Sequence, residues 1–317
     1  MLYLVLRNVK LASVISTIAS LSFLQVGLLI FGYLVGQFIS SYKWWAIARH
    51  GGIQVSYWHA LRAYSVGMFV NFYGLGLGTV GGDVARGLLI ARGTTRKTGG
   101  LASVIADRAH GLAVLATIGM VSLAVWGSGD NLSPSFVGLL ILGAGLVMVG
   151  WFVGPPLIQK MTSSQSRFRV KVDEVARVFP KDPGFLVWIS FVSTVFHLSQ
   201  IGLHYLICHF IGSAAPFAFL MAAIPFVNIL ATLPVSWNGL GVRETSYKFF
   251  FPPAMLSGEQ AVALGAIWLF AVAVTSAIGG IVALVTDDFK EIDSVKIESA
   301  KSKSEEAKRQ EVEQVIS

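Results

Sequence analysis

Two stretches of this chain decide its fold: NFYGLGLGTVGGDVAR, Asn71 to Arg86, and NILATLPVSWNGLGVR, Asn228 to Arg243, followed by Glu244. Each opens on Asn, breaks at glycine (with Pro234 in the second) and places an Arg fifteen residues after that Asn. Both interrupt apolar sequence. Glycine and charge are costly at membrane depth and mark a pathway or a binding site. Two such breaks in corresponding halves of a chain point to a transporter-like site.

The sequence around them is that of a membrane protein. Hydrophobic residues make up 54% of the 317 positions and charged residues 13%, against about 25% charge in a soluble domain. Apolar runs of about 20 residues recur, which predicts a polytopic helical protein, and the short alternating segments of a membrane β-barrel are absent. The single Cys208 excludes an internal disulfide and a multi-cysteine metal site. MLYLVLRNVK shows no small-residue cleavage site after it, so no signal peptide is expected.

Full spans are expected over Ser20 to Tyr42, Gly100 to Trp126, Phe136 to Ile158, Phe185 to Ile211 and Ala261 to Thr286. Lys43-Trp44-Trp45 reads as an interfacial anchor closing the first, and His50 and His59 read as further interfacial residues. Ala63 to Leu77 leads into the first glycine hairpin and Phe217 to Thr232 into the second. Basic residues crowd loop 43–62, region 86–97 and link 159–183, whereas GSGDNLSPS and FPPAMLSGEQ hold none. By the positive-inside rule the basic segments and the tail share the cytoplasmic side. The first hairpin then enters from the cytoplasm and returns there, and the second enters and returns outside. The expected architecture is an all-α inverted repeat with two re-entrant hairpins and about five to six full spans. Its halves cover about 14–158 and 184–286, joined by a partly helical basic link, 159–183, and together form a membrane domain, 1–286. The tail 287–317, with nine acids and six bases, reads as a solvated cytoplasmic helix or a disordered segment. Arg7 and Lys10 fall on the wrong side of this scheme. Either the first residues lie in the interface or a preceding helix is missing.

Several residues could carry chemistry. Gly82 permits close backbone approach, Asp83 can cap a helix leading to Arg86, and the two charges share a face at a spacing of three. Pro234 and Gly239 break the second hairpin, Asn238 can cap, Ser236 lies at the break, and Gly241 allows a tight exit. Arg243 and Glu244 then open a half-helix whose N-terminus favours a phosphate. Asp107 and Arg108, beside His110, can join Glu244 in an internal charge network. Each set has a functional reading, in which the arginines take an anionic headgroup, and a structural one, in which ion pairs and caps hold the hairpins together. His197, Gln200, His204 and Cys208 share one helix face, read as polar groups facing a bundle interior rather than a metal site. No phosphate-binding loop, nucleophile elbow or zinc-protease motif occurs, so neither a cofactor nor an enzyme activity is expected.

The strings GLGTVGGDVARGLLIARG, ASVIADRAHGLAVL and LPVSWNGLGVRETSYKFFF resemble the transmembrane domain family of lysylphosphatidylglycerol synthases. Gly82, Asp83 and Arg86 match its first motif. Ser103, Val104, Asp107 and Arg108 match the second, and Leu233, Pro234, Ser236, Gly239, Gly241, Arg243 and Glu244 the third. Two departures stand out: a helix that usually precedes Ser20 is missing, and Asn238-Gly239 replaces Gly-Gly. No aminoacyl-transferase domain accompanies the motifs. The resemblance therefore implies the lipid-translocating half: an inner-membrane flippase or transporter of an anionic or lipid-linked phosphate. Asn71 and Asn228 would join the motif residues in a substrate site. Its partners would be membrane lipids, with a lipid-modifying enzyme as a further candidate and no nucleic acid. The alternative is a non-catalytic accessory subunit of a lipid-linked glycosylation or lipid-modification system.

Overall fold

The protein is described by a computed structural model covering residues 9–74, 78–94, 96–126, 134–163, 166, 169–232 and 236–286. Every regular element among them is helical. Pro234, the glycine tip 75–77, most of the turn 127–135 and the tail 287–317 lie outside the described residues.

Five helices have 28 to 30 residues: α2 (Phe23–His50), α5 (Lys97–Trp126), α6 (Pro134–Met161), α8 (Pro183–Phe210) and α11 (Gly258–Val285). At 1.5 Å per residue each is roughly 42 Å long or more, enough to cross a hydrocarbon layer about 30 Å thick. Among the described residues α2, α5, α8 and α11 are apolar enough to cross a membrane by length and composition. Side-chain caps fix where several of them start. Ser22 and Ser257 form capping boxes with Gln25 and Gln260, and the Asp182 carboxylate accepts the Phe185 N–H. Shorter helices fill the gaps: α1 (Leu11–Ala19), α3 (Tyr57–Tyr73), α4 (Gly78–Ile90), α7 (Arg169–Val178), α9 (Phe217–Ala231) and α10 (Val242–Phe250). A single 3-10 turn, Trp237–Gly239, precedes α10.

Hydrogen bonds assign the loops to two opposite ends of the bundle. His59, in the first turn of α3, donates through Nε2 to the Leu89 carbonyl near the end of α4 at 2.9 Å. The hairpin α3–α4 thus starts and finishes at one end. Arg96 donates to the Gly52 carbonyl at that same end, and Glu174 of the link helix α7 accepts from the Gly99 N–H. At the far end of α8, Ser213 and Ala214 both bond the Met255 carbonyl, at 2.6 and 3.1 Å. The hairpin α9–α10 therefore starts and finishes at the opposite end. The two hairpins meet tip to tip. The Trp237 indole donates to the Phe72 carbonyl at 3.0 Å, and its ring lies 4.9 Å from that of Phe72.

Some sequence expectations need correction. Lys43-Trp44 is no interfacial anchor: α2 runs on to His50 and buries both side chains. Pairing makes this affordable, since a buried cation is tolerated when a carboxylate meets it. Asp83 caps nothing, because α4 begins at Gly78 and Asp83 sits a turn inside it. Asn238 does not cap α10 either; Gly241 is the cap residue. Lys10 stays at the end away from the basic loops, as charge counting placed it. There its backbone N–H and ammonium act on Glu259 at the start of α11, while Val14 of α1 packs on Val262 and Ala263.

Candidate functional site

Between the hairpins lies a cavity of about 490 Å³, in the size range of small-molecule sites. The first hairpin lines it with Asn71, Asp83 and Arg86, and the second with Asn228, Asn238 and Arg243. Asp107 and Arg108 of α5 complete the set that sequence brought forward.

The local geometry of the first hairpin depends on the absence of side chains. Gly67 of α3 and Gly82 of α4 face each other so closely that a Cβ on Gly82 would strike the Gly67 carbonyl oxygen and the Asn71 side chain. In that space the Gly82 N–H donates to Asn71 Oδ1 at 2.8 Å. One turn on, Arg86 Nε meets Asp83 Oδ1 at 3.1 Å and Nη2 meets Asp107 Oδ2 at 3.3 Å. The Arg86 guanidinium also lies over the rings of Trp44 and Tyr64, at 4.9 and 5.1 Å. Lys43 approaches the other Asp107 oxygen at 3.0 Å, and Arg108 Nε approaches Asp83 at 2.9 Å. Three cations thus share two carboxylates. Arg86 and Asp107 are almost wholly buried, and a charge there survives only when paired and hydrogen-bonded.

The second hairpin is built differently. Asn238, Gly239 and Gly241 have φ of 49°, 78° and 82°, a region open to glycine and tolerated by asparagine. The Asn238 amide donates to the Asn71 carbonyl, at 3.4 Å, tying the two tips together. Glu244 does not join the charge network. Its carboxylate turns back to accept the Gly241 N–H at 2.6 Å and packs against Gly265 of α11. Ser236 Oγ is buried with no hydrogen-bond partner among the described residues. Gly241, Glu244 and Ser236 therefore shape the hairpin, and Arg243 is the second hairpin's charge on the cavity.

Arg243 has no carboxylate partner among the described residues. Its guanidinium lies 5.4 Å from the centre of the Trp268 ring, and Nη1 is buried without a hydrogen bond. The Tyr247 hydroxyl is within electrostatic reach of it and meets His204 Nε2 at 3.0 Å. His204 Nδ1 must donate to the Gln200 carbonyl, at 2.8 Å. With Nδ1 carrying its proton, Nε2 is left to pair with the Tyr247 hydroxyl. Of the polar face of α8 seen in the sequence, His204 meets Tyr247 and His197 bonds the Gly111 carbonyl of α5 at 3.0 Å, and all four residues are buried. Among the described residues no cluster of potential ligands could hold a metal ion.

Residues 1–280 match the family model described as the lysylphosphatidylglycerol synthase TM region. The chain belongs to that family. No curated protein matches the chain, and no solved structure does. Membership and the long apolar helices make this lysylphosphatidylglycerol synthase TM protein an integral membrane protein with a lipid-related role.

Sequence reasoning missed the α2 side of the site. Tyr33, Gln37, Ser40 and Lys43 all line the cavity. Their spacing of three to four residues inside an otherwise apolar span was the available signal; the adjacent tryptophans drew Lys43 to the interface instead.

Proposed function

We propose that this protein is a lipid transporter of the inner membrane that moves a lipid with an anionic phosphate headgroup, and that it does no covalent chemistry. The observation that carries the reading is Arg243. It is a cation on an internal cavity, without a carboxylate partner among the described residues, lying beside Trp268. The cavity as a whole has Lys43, Arg86, Arg108 and Arg243 against Asp83 and Asp107, an excess of two positive charges. An anion entering it meets one guanidinium free of any carboxylate among the described residues and three more cations paired with carboxylates. Charge-assisted bonds from arginine suit a phosphate in fork geometry.

On this reading the two hairpins are re-entrant, one from each leaflet, and the halves form an inverted repeat with the tail in the cytoplasm. Irregular backbone at membrane depth is tolerated where protein or a cavity surrounds it, and Asn71 and Asn238, beside the two breaks, both line the cavity. The headgroup would pass along the cavity while its chains stay in the lipid.

The test is leaflet exchange in liposomes carrying fluorescent phosphatidylglycerol, its lysyl derivative or a short polyprenyl phosphate. Arg243→Ala should reduce exchange of the anionic lipids at least about tenfold, the worth of one charged hydrogen bond, with thermal stability nearly unchanged. No exchange by the well-folded unaltered protein would refute autonomous transport of these lipids and leave a partner-dependent role.

A further inference from the structure

A second groove lies on the perimeter, between the end of α2 and the start of α8. It measures about 500 Å³ and shares no lining residue with the central cavity. Tyr42, Trp45, Arg49, His50, Gln54 and Trp188 line it. His50 stacks on Phe185 with ring centres 4.3 Å apart, closing the floor between the two helices. The Arg49 guanidinium lies 5.3 Å from the Trp45 ring centre. Among the described residues it has no hydrogen bond and no ion pair, and no carboxylate lines the groove. Asp182 is near in sequence to α8, but its carboxylate is engaged by the Phe185 N–H at 2.7 Å.

Two exposed apolar stripes converge on this groove. Along α2 run Phe31, Val35 and Phe38, and along α8 run Phe191, Val195 and Leu198. Each stripe follows the helical repeat and faces outward. The groove therefore has a cationic, aromatic head at the level of the basic loops and an apolar track leading away from it along both helices. That is the shape of a phospholipid. Tryptophan and tyrosine favour the headgroup level, and a cation there attracts an anionic lipid by about 1 kcal/mol.

We propose that this groove is a resident site for an anionic phospholipid. Its phosphate sits against Arg49, with His50 and Gln54 beside it, and its chains lie along α2 and α8. Such a lipid wedges the two halves together from outside and is separate from any lipid handled in the central cavity.

The experiment is native mass spectrometry of the purified full chain, titrated with dioleoyl phosphatidylglycerol and, separately, dioleoyl phosphatidylcholine. The unaltered protein should hold the anionic lipid more tightly. Arg49→Gln should weaken it about fivefold and leave phosphatidylcholine unaffected. Gln54→Glu, at an exposed position where folding is not at stake, should weaken it likewise by adding a carboxylate. Both effects should persist in an Arg243→Ala background, which separates this site from the transport reading. Equal affinity for the two lipids, or unchanged phosphatidylglycerol binding in both variants, would overturn the proposal and make the groove ordinary lipid-facing surface.

Discussion

Arg86 and Arg243 occupy matching places in the two glycine hairpins, yet their surroundings give them different work. Arg86 is clamped by two carboxylates and two aromatic rings, whereas Arg243 lies over one ring, that of Trp268. The difference predicts opposite outcomes for nearby substitutions. Asp107→Ala strands Lys43 and Arg86 as buried, under-compensated cations, and breaking such a pair costs about 3–5 kcal/mol. Thermal unfolding in detergent should show that loss directly, and a stable Asp107→Ala protein would mean the network is wetter than its burial indicates. Tyr247→Phe removes a hydroxyl within electrostatic reach of Arg243 and leaves His204 Nε2 without its partner. We expect a modest destabilisation, about 1–2 kcal/mol, together with a rise in the lipid concentration needed for half-maximal exchange. A purely structural role for Tyr247 would give the first effect without the second. Sequence named both arginines but could not rank them, because the ranking depends on which carboxylate turns toward which guanidinium. Asp83 and Arg86 were legible as neighbours three apart; the reach of Asp107 across to α4 was not.

Hairpins made of glycine fail in a characteristic way. A Cβ on Gly82 would meet the Gly67 backbone carbonyl first, so moving the Asn71 side chain aside does not relieve Gly82→Ala. The helices α3 and α4 must separate, at a cost of about 1–3 kcal/mol for overpacking. The separation also breaks the bond from the Gly82 N–H to Asn71, and Asn71 carries the carbonyl that Asn238 holds. Exchange should therefore fall more steeply than stability. An active Gly82→Ala protein would show that the tips need no fixed register. At this scale the sequence was informative about breaks and poor about ends. Glycines marked both hairpins, and apolar runs marked the long helices. The continuation of α2 through Lys43 was hidden because a lone cation beside tryptophans reads as an interface until its buried counter-ion is known.

Taken whole, the molecule sorts its loops by charge. The basic turns and link helix gather at one end through Arg96 and Glu174, and the uncharged turns gather at the other around Met255. Charge counting along the sequence separated the same two groups, because the positive-inside rule acts on loops before any packing exists. Tip-to-tip docking of the hairpins lay beyond it, since nothing local pairs Trp237 with Phe72. The two-ended arrangement is open to chemical labelling in intact cells. With the buried Cys208 replaced by serine, an impermeant maleimide should modify Ala254→Cys from outside. Lys181→Cys, also exposed, should react only after the membrane is opened. Labelling of both from one side would rule out the topology.

The seam where Trp237 meets Phe72 has an electrical consequence on the transport reading. A transmembrane voltage drops across whatever layer closes the path between two compartments, and there the contact between the hairpins is part of that layer. A charge moved fully across would gain or lose about 2.3 kcal/mol per elementary charge at 100 mV. An energised membrane would then bias the direction of an anionic cargo without any nucleotide being spent.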